Sequence, residues 1–337
     1  CVRFAHIVCR RLPVRLRRDA RRNSPLRYVA LPAASLLQQI CVIKLLQLQS
    51  ILLIFRTWGN YMEAKEFVEC LRKGKRLYGT AVYSPSPLWP PAVQRTGVDF
   101  VFIDTEHTPV DRTILAQMCL AYKGCGLPPL VRIGSPDPHE ARRVLDGGAS
   151  GILAPYVESP EQVRELVGAT KLRPLKGQRL TEAMQKQDSL ELELKDYLSN
   201  WNKENFLMIN IESVPAIERL DSILAVPGLD GVIIGPHDLS VSLGLPEKYR
   251  DPKFESAVET IISKVRAKGL SVGIHFSQEA ELQIRWAKAG ANIIMHSSDV
   301  ALFQQRLKED ISAIRHSLRQ QDSTTREATD DSVVRED

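Results

Sequence analysis

The chain has 337 residues, 44% hydrophobic and 25% charged, with a formal net charge of +5; that much apolar material excludes a low-complexity or disordered chain and suits one large domain or two smaller ones. The charge is uneven: residues 1–61 hold 11 Lys/Arg against the single acid Asp19, leaving 34 basic and 39 acidic side chains in the rest. A basic leader on a mildly acidic body argues against a nucleic-acid partner, whose footprint is a basic face with interleaved aromatics on the folded part.

Residues 1–61 admit two readings. Arg10, Arg11, Arg15, Arg17, Arg18, Arg21 and Arg22 give them the flavour of an organellar presequence. The apolar stretch 28–55 is broken by Pro32, Gln38, Gln39, Lys44, Gln47 and Gln49, a poor membrane span. Residue 1 is Cys, and Met62 opens an amphipathic helix over 63–73. The second reading is therefore that Met62 is the start and 1–61 is translated upstream sequence, disordered in either case. The expected location is cytoplasmic, or mitochondrial if the leader is a presequence. Cys1, Cys9, Cys41, Cys70, Cys119 and Cys125 form no CxxC pair and read as reduced thiols.

From residue 77 onward, short β-branched or aromatic runs alternate with helical periodicity, which is the pattern of βα units around a parallel sheet. Eight strands are predicted, at 78–82, 100–104, 130–133, 151–154, 207–212, 231–235, 271–275 and 292–296. VFID, GVIIG and NIIMH are apolar on both faces, as strands enclosed between a barrel interior and a ring of helices must be. Helices are predicted at 110–122, 137–147, 160–170, 214–225, 253–268 and 278–289. The fold class is therefore α/β, a (β/α)₈ TIM barrel over 62–315, close to the usual ~250 residues. The long stretch between strands 4 and 5 contains 174–201, rich in Leu, Glu and Lys, which reads as a helical excursion. Residues 316–337 read as a disordered polar tail.

In such a barrel, chemistry sits at the C-terminal ends of strands, so the polar residues ending apolar runs are the candidates. Glu212 and Asp238 lie at adjacent strand ends and supply hard oxygen ligands suited to Mg²⁺ or Mn²⁺ with open positions for a chelating substrate; each could instead cap the helix that follows. Arg132 ends a short apolar strand and can hold a carboxylate or enolate oxygen, or form a structural ion pair. Asp104 and His107, three residues apart, form a candidate acid–base dyad in which the carboxylate orients the ring. Gly235 and His237, in the Gly235-Pro236-His237-Asp238 turn, and Asn210 are candidate substrate contacts. His139, His275, His296 and His316 read as surface or packing residues. No lysine ends a predicted strand, which disfavours a Schiff-base mechanism.

The stretches FVFIDTEHTP (100–109), LVRI (130–133), LDGGASGILAPYV (145–157), INIES (209–213) and GPHDLS (235–240) together resemble the HpcH/HpaI class II pyruvate aldolase family, to which macrophomate synthase is related. The resemblance covers about 62–315. It implies a (β/α)₈ barrel assembled as a hexamer of paired subunits. Glu212 and Asp238 are then the metal ligands (Mg²⁺ or Mn²⁺, with Co²⁺ or Zn²⁺ as alternatives), Arg132 the enolate-stabilising residue, Asp104 and His107 the dyad, and Asp146 an acid contributed across a subunit interface. The implied activity is cleavage or formation of the C3–C4 bond of a 4-hydroxy-2-keto acid, with pyruvate and an aldehyde as partners and neither nucleic acid nor membrane. Oxaloacetate decarboxylation, macrophomate-synthase-like enolate chemistry and a non-catalytic oligomeric barrel are the alternatives. The chain departs from the family pattern at Asn210, often Gln, at His237, often Ala, and in the loop Lys176-Gly177-Gln178-Arg179, all on the side where substrate choice is made.

Overall fold

The computed structural model describes residues 61–186 and 190–330, with side chains to 319. Its elements in chain order are α1 (Ala64–Arg72), β1 (Leu77–Ala81), α2 (Trp89–Gln94), β2 (Phe100–Asp104), α3 (Arg112–Gly124), β3 (Pro129–Arg132), α4 (Pro138–Asp146), β4 (Gly151–Ala154), α5 (Pro160–Lys171), α6 (Gly177–Gln185), α7 (Leu192–Trp201), β5 (Phe206–Ile211), α8 (Val214–Glu218), α9 (Leu220–Leu224), β6 (Gly231–Ile234), α10 (Pro236–Ser242), α11 (Pro252–Ala267), β7 (Ser271–Phe276), α12 (Ala280–Lys288), β8 (Ile293–Ser298) and α13 (Asp299–Asp330). The eight strands are parallel and pair in sequence order, β1 closing on β8, so the sheet is a complete barrel with no free edge. Every predicted strand is present, with ends displaced by two residues at most.

Alternation along each strand divides the core in two. Outward residues such as Val101, Ile103, Ile152, Ile209 and Val232 pack beneath the helices, while Phe100, Phe102, Leu130, Leu153, Met208 and Ile233 fill the barrel. The lower interior is a large-to-small fit. A Cβ on Gly79 would lie 2.5 Å from Phe100, and one on Gly151 would lie 2.2 Å from Phe206. Phe67 of α1 closes this end, its ring 5.2 Å from Phe100 and 4.8 Å from Phe206. Beside it Asp230 accepts from Lys171, Arg72 and the Leu207 N–H, so the buried carboxylate is fully engaged.

Local sequence starts the helices. Asp111, Asp137, Ser159, Ser213 and Asp251 each cap a helix through the side chain, Ser159 in a capping box with Gln162. The excursion between β4 and β5 is helical, as its composition predicts. It is α6 and α7, held by Leu172, Ala183, Leu190 and Leu198; residues 187–189 lie outside the described set. Where the sequence suggests a polar tail from 316, α13 instead continues to Asp330, since nothing between 299 and 330 is Gly or Pro and the polar residues there tolerate a helix. The expectations for 1–60 and 331–337 fall outside the described residues. Cys70 and Cys119 are buried and free, and Cys125 is free and half-buried. No helix among the described residues is long and apolar enough to cross a membrane.

Candidate active site

At the C-terminal end of the barrel, a cavity of about 430 Å³ opens between strand ends. Phe102, Leu153, Ile233 and Met295 line it, with Arg132, Asn210, His275, His107, His237 and Asp238 as its polar groups. The parallel register brings these residues together: Asp104 is aligned with Arg132, Asn210 with Ile233, and His275 with Met295.

Arg132 is the centre of one half. Its Nε and Nη2 donate to the two oxygens of Asp104 at 2.8 and 2.7 Å, and Glu106 Oε2 lies 3.1 Å from Nε. Burial is the strongest single influence on Asp104 and opposes its charge, yet the Arg132 bonds and charge, with the Glu106 N–H, together outweigh it and hold the carboxyl below its ordinary value. The same bonds hold the guanidinium above its ordinary value despite burial.

This arrangement alters the predicted dyad. Asp104 gives both oxygens to Arg132, one of them also receiving the Glu106 N–H, and no hydrogen bond joins it to His107. The acid nearest His107 is Glu106, whose Oε1 stands 3.7 Å from Nε2, beyond hydrogen-bond reach. The cause is geometric: Asp104 ends β2 facing inward beside its β3 neighbour, whereas His107 lies in the loop beyond, 61% exposed.

Glu212 is the centre of the other half. Its Oε1 accepts the Tyr156 N–H at 2.8 Å and its Oε2 the Asn210 side-chain amide at 2.8 Å. Burial, reinforced by the charges of Asp238 and Glu106, pushes its pKa up despite those two bonds. Gly235 makes room for it, since a Cβ there would lie 2.6 Å from Oε2. Asp238 stands in the first turn of α10, half exposed, with His237 Nδ1 3.6 Å away. Asn210 Oδ1 is buried and has no hydrogen-bond partner. A buried carboxylate repelled by two others, beside an unpartnered buried amide oxygen at Asn210, fits a hard divalent cation. Among the described residues no group of three or more His, Cys, Asp or Glu side chains is placed to hold a metal ion; a cation here would rest on the two carboxylates of Glu212 and Asp238.

Several residues of this site had no assigned role in the sequence. Glu106, its side chain 8% exposed, sits between Arg132 and His107. Tyr156 has φ +55°, and a left-handed tyrosine leaves no composition signal; its phenol bonds Glu106, which pushes it up to about 12. Asp299 accepts from the N–H groups of Tyr83 and Ser84, fastening the loop after β1 to the end of β8. His275, read as a packing residue, does pack on Phe102, but it also opens on the cavity. Asp146 is not among the residues lining this cavity. It ends α4, exposed and paired with Arg173, beside a second cavity lined by His139, Arg142 and Lys176.

Comparison with known proteins agrees with the barrel fold. The family model described as HpcH/HpaI aldolase/citrate lyase matches residues 82–305. The 2-keto-3-deoxy-L-rhamnonate aldolase of Salmonella gallinarum (strain 287/91 / NCTC 13346) is 32% identical over 250 residues, which span 74% of this chain and 92% of that protein. Among solved structures, the HpcH/HpaI aldolase from Desulfitobacterium hafniense DCB-2 is 30% identical with a TM-score of 0.64, covering 73% of this chain and 95% of that one. Macrophomate synthase shares the fold at 23% identity, with a TM-score of 0.62 over 76% of this chain and 90% of its own. With the family model matched over most of the barrel and a relative above 30% identity along nearly its whole length, the chain belongs to the HpcH/HpaI aldolase/citrate lyase family.

Proposed function

We propose that this protein is a divalent-metal-dependent aldolase that cleaves, or forms, the C3–C4 bond of a 4-hydroxy-2-keto acid to give pyruvate and an aldehyde. The observation that carries this is the gathering, at one strand-end cavity, of a cation at Arg132 fixed by Asp104, the carboxylate of Asp238, and Asn210, whose amide holds the buried Glu212 carboxylate directly behind the lining. Glu212 and Asp238 would hold Mg²⁺ or Mn²⁺, which when bound supplies Lewis-acid stabilisation of the developing enolate. Arg132, immobilised by Asp104, presents a positive charge to the keto-acid oxygens without reorganising as charge develops. Asn210 and the Tyr156 N–H orient Glu212, and the absent side chain at Gly235 leaves it space. His107 and His237, both 61% exposed, stand at the mouth where the aldehyde half enters; His107 takes the 4-hydroxyl proton as the C3–C4 bond breaks. The name of the Salmonella relative supports a 2-keto-3-deoxy sugar acid as the substrate class.

The test is a retro-aldol and aldol assay over a panel of such acids and aldehydes with Mg²⁺ or Mn²⁺, read by product mass. Activity that survives EDTA and Glu212→Ala overturns the proposal. Carbon dioxide release from oxaloacetate without any aldol product assigns the enolate to decarboxylation instead.

We further propose that copies of the chain associate. Val300, Phe303, Leu307, Ile311, Ile314 and Leu318 form an exposed apolar stripe along α13, beside a groove of about 660 Å³ bounded by Trp89, Val93 and Val98. Asp146 lies off the cavity of its own chain, a position that suits service to a neighbouring subunit's site. A monomer by sedimentation at micromolar concentration overturns this assembly.

A further inference from the structure

The second cavity, of about 810 Å³, lies between α4, α5 and α6 and shares no lining residue with the first. Its polar wall is mainly cationic. Arg142 and Arg143 of α4 and Lys176 at the head of α6 line it with His139, against the acids Asp146 and Glu165. Asp146 is already taken by Arg173, while none of Arg142, Arg143 and Lys176 makes a side-chain hydrogen bond or ion pair among the described residues. Three cations therefore face one uncommitted carboxylate, that of Glu165.

Arg142 shows what this imbalance costs. Its Nη2 is buried and donates to nothing among the described residues, although buried donors are ordinarily matched. Burial, and next the charge of Arg173, hold its pKa below the ordinary arginine value, so the cation is already desolvated and repelled by its neighbour. An anion in the cavity answers both. It accepts from the guanidinium once the terminal group turns toward it, and it offsets the Arg173 charge.

The head of α6 has the same preference. Its N-cap, Lys176, supplies no side-chain acceptor, and the N–H groups from Gly177 to Arg179 meet no acceptor among the described residues. At Gly177 φ is +55° and a Cβ would meet nothing within 4 Å, so the backbone stands open to the cavity it lines. A glycine at an uncapped helix start, next to a lysine, cradles phosphate oxygens well. Leu180 and Met184 of α6 give the cavity an apolar side.

We propose that this cavity is a phosphate-binding site, separate from the catalytic cavity, whose ligand is a phosphate dianion, free or carried on a small organic monoester. Arg142 and Lys176 supply the charges, and the first N–H groups of α6 supply the neutral donors. The excess of cations decides the class: a dianion with three acceptor oxygens meets two of them and the helix start together, where a carboxylate would meet one. The apolar side at Leu180 and Met184 is where the carbon part of an ester would rest. The inference goes beyond the aldolase reading and does not depend on it, since every group it uses lies outside the catalytic cavity.

Calorimetric titration of the metal-free full chain, in EDTA at fixed ionic strength, tests it with two probes, inorganic phosphate and phenyl phosphate. Wild type is expected to bind saturably. Arg142→Gln and Lys176→Gln should each weaken that binding about tenfold, the loss of one charge-assisted hydrogen bond. Arg164→Gln, which removes an exposed cation of α5 paired with Glu161, should leave it unchanged. Phenyl phosphate binding the more tightly assigns the site to an ester, and binding no more tightly assigns it to the free ion. Absence of saturable binding by either probe overturns the proposal. So does an affinity unaltered in both R142Q and K176Q, or one that falls equally in R164Q. If R142Q does not fold, K176Q decides, because Lys176 is exposed and its replacement leaves the packing intact. No turnover is measured, so a failed phosphate site and a failed aldolase reading are told apart.

Discussion

Asp104 and Arg132 are aligned Cα to Cα on neighbouring strands and joined by two parallel hydrogen bonds of 2.8 and 2.7 Å. Their side chains are 3% and 15% exposed, so the guanidinium that faces the cavity is held by a partner almost wholly removed from water. Breaking such a pair on one side leaves an uncompensated charge, whereas an exposed pair would hardly register.

Asp104→Asn is therefore expected to lower stability by about 3 kcal/mol at pH 7 and to loosen Arg132, with kcat falling more than KM rises. The pH sign follows from the lowered pKa of Asp104. The stabilisation is complete above the ordinary aspartate value and is lost as pH falls through the lower folded-state value. Urea melts from pH 7 down to pH 3 check it: the gap between wild type and variant should shrink at the acid end. A gap that stays constant with pH refutes the ionic account.

Much of the site was legible because strand ends announce themselves. Asp104, Arg132, Asn210 and Gly235 close apolar runs, and parallel register then carries them to one rim without further information. Pairing within the rim was not legible. Spacing along the chain put Asp104 with His107, three residues on, but the inward pleat of β2 turns it to Arg132, 28 residues away. His275 carries the same lesson, since period-two alternation alone does not distinguish a histidine that fills space from one that faces a cavity. The fold was clearer than the site because eight apolar runs with intervening amphipathic helices admit few closed arrangements, while α13 ran past its expected end because polar composition marks both a solvated helix and a tail.

Tyr156 separates a backbone role from a side-chain role. Its N–H donates to Glu212 from a left-handed conformation that costs an L-residue about 1 kcal/mol. Tyr156→Gly keeps that N–H and removes the steric penalty, so the divalent-cation affinity should stay near wild type. Tyr156→Pro removes the N–H and cannot adopt a positive φ, so affinity and stability should both collapse. Calorimetric titration with Mn²⁺ reads the difference, and similar affinities in the two variants would show that the N–H is dispensable.

Gly235 has φ −83°, a conformation open to any residue, so its value lies in space alone. Gly235→Ala puts a Cβ 2.6 Å from Glu212 Oε2 and 3.0 Å from Glu212 Cβ, which forces the carboxylate aside. A displacement of that size at a reacting centre is expected to lower kcat/KM about 100-fold, with little change in the thermal midpoint of the metal-free protein. Wild-type kinetics in G235A would mean that Glu212 has slack the packing does not show.

Glu212→Gln distinguishes a carboxylate kept for structure from one kept for a cation. Burial first, then the charges of Asp238 and Glu106, raise the pKa of Glu212; the folded chain thus holds that proton to higher pH than the unfolded chain does, and the ionised group subtracts from stability once pH exceeds its ordinary value of 4.5. The neutral amide removes that penalty. It can still accept the Tyr156 N–H, and Asn210 can turn its amide to offer the now partnerless Oδ1 to the new Nε2. In EDTA, E212Q should therefore melt above wild type at pH 7, with the difference closing toward pH 4. Adding Mn²⁺ at 100 times its dissociation constant should stabilise the wild type by about 2.7 kcal/mol and leave E212Q almost unmoved, reversing the order of the two proteins. A wild type that stays below E212Q in saturating Mn²⁺ and Mg²⁺ would mean that this carboxylate does not serve a cation.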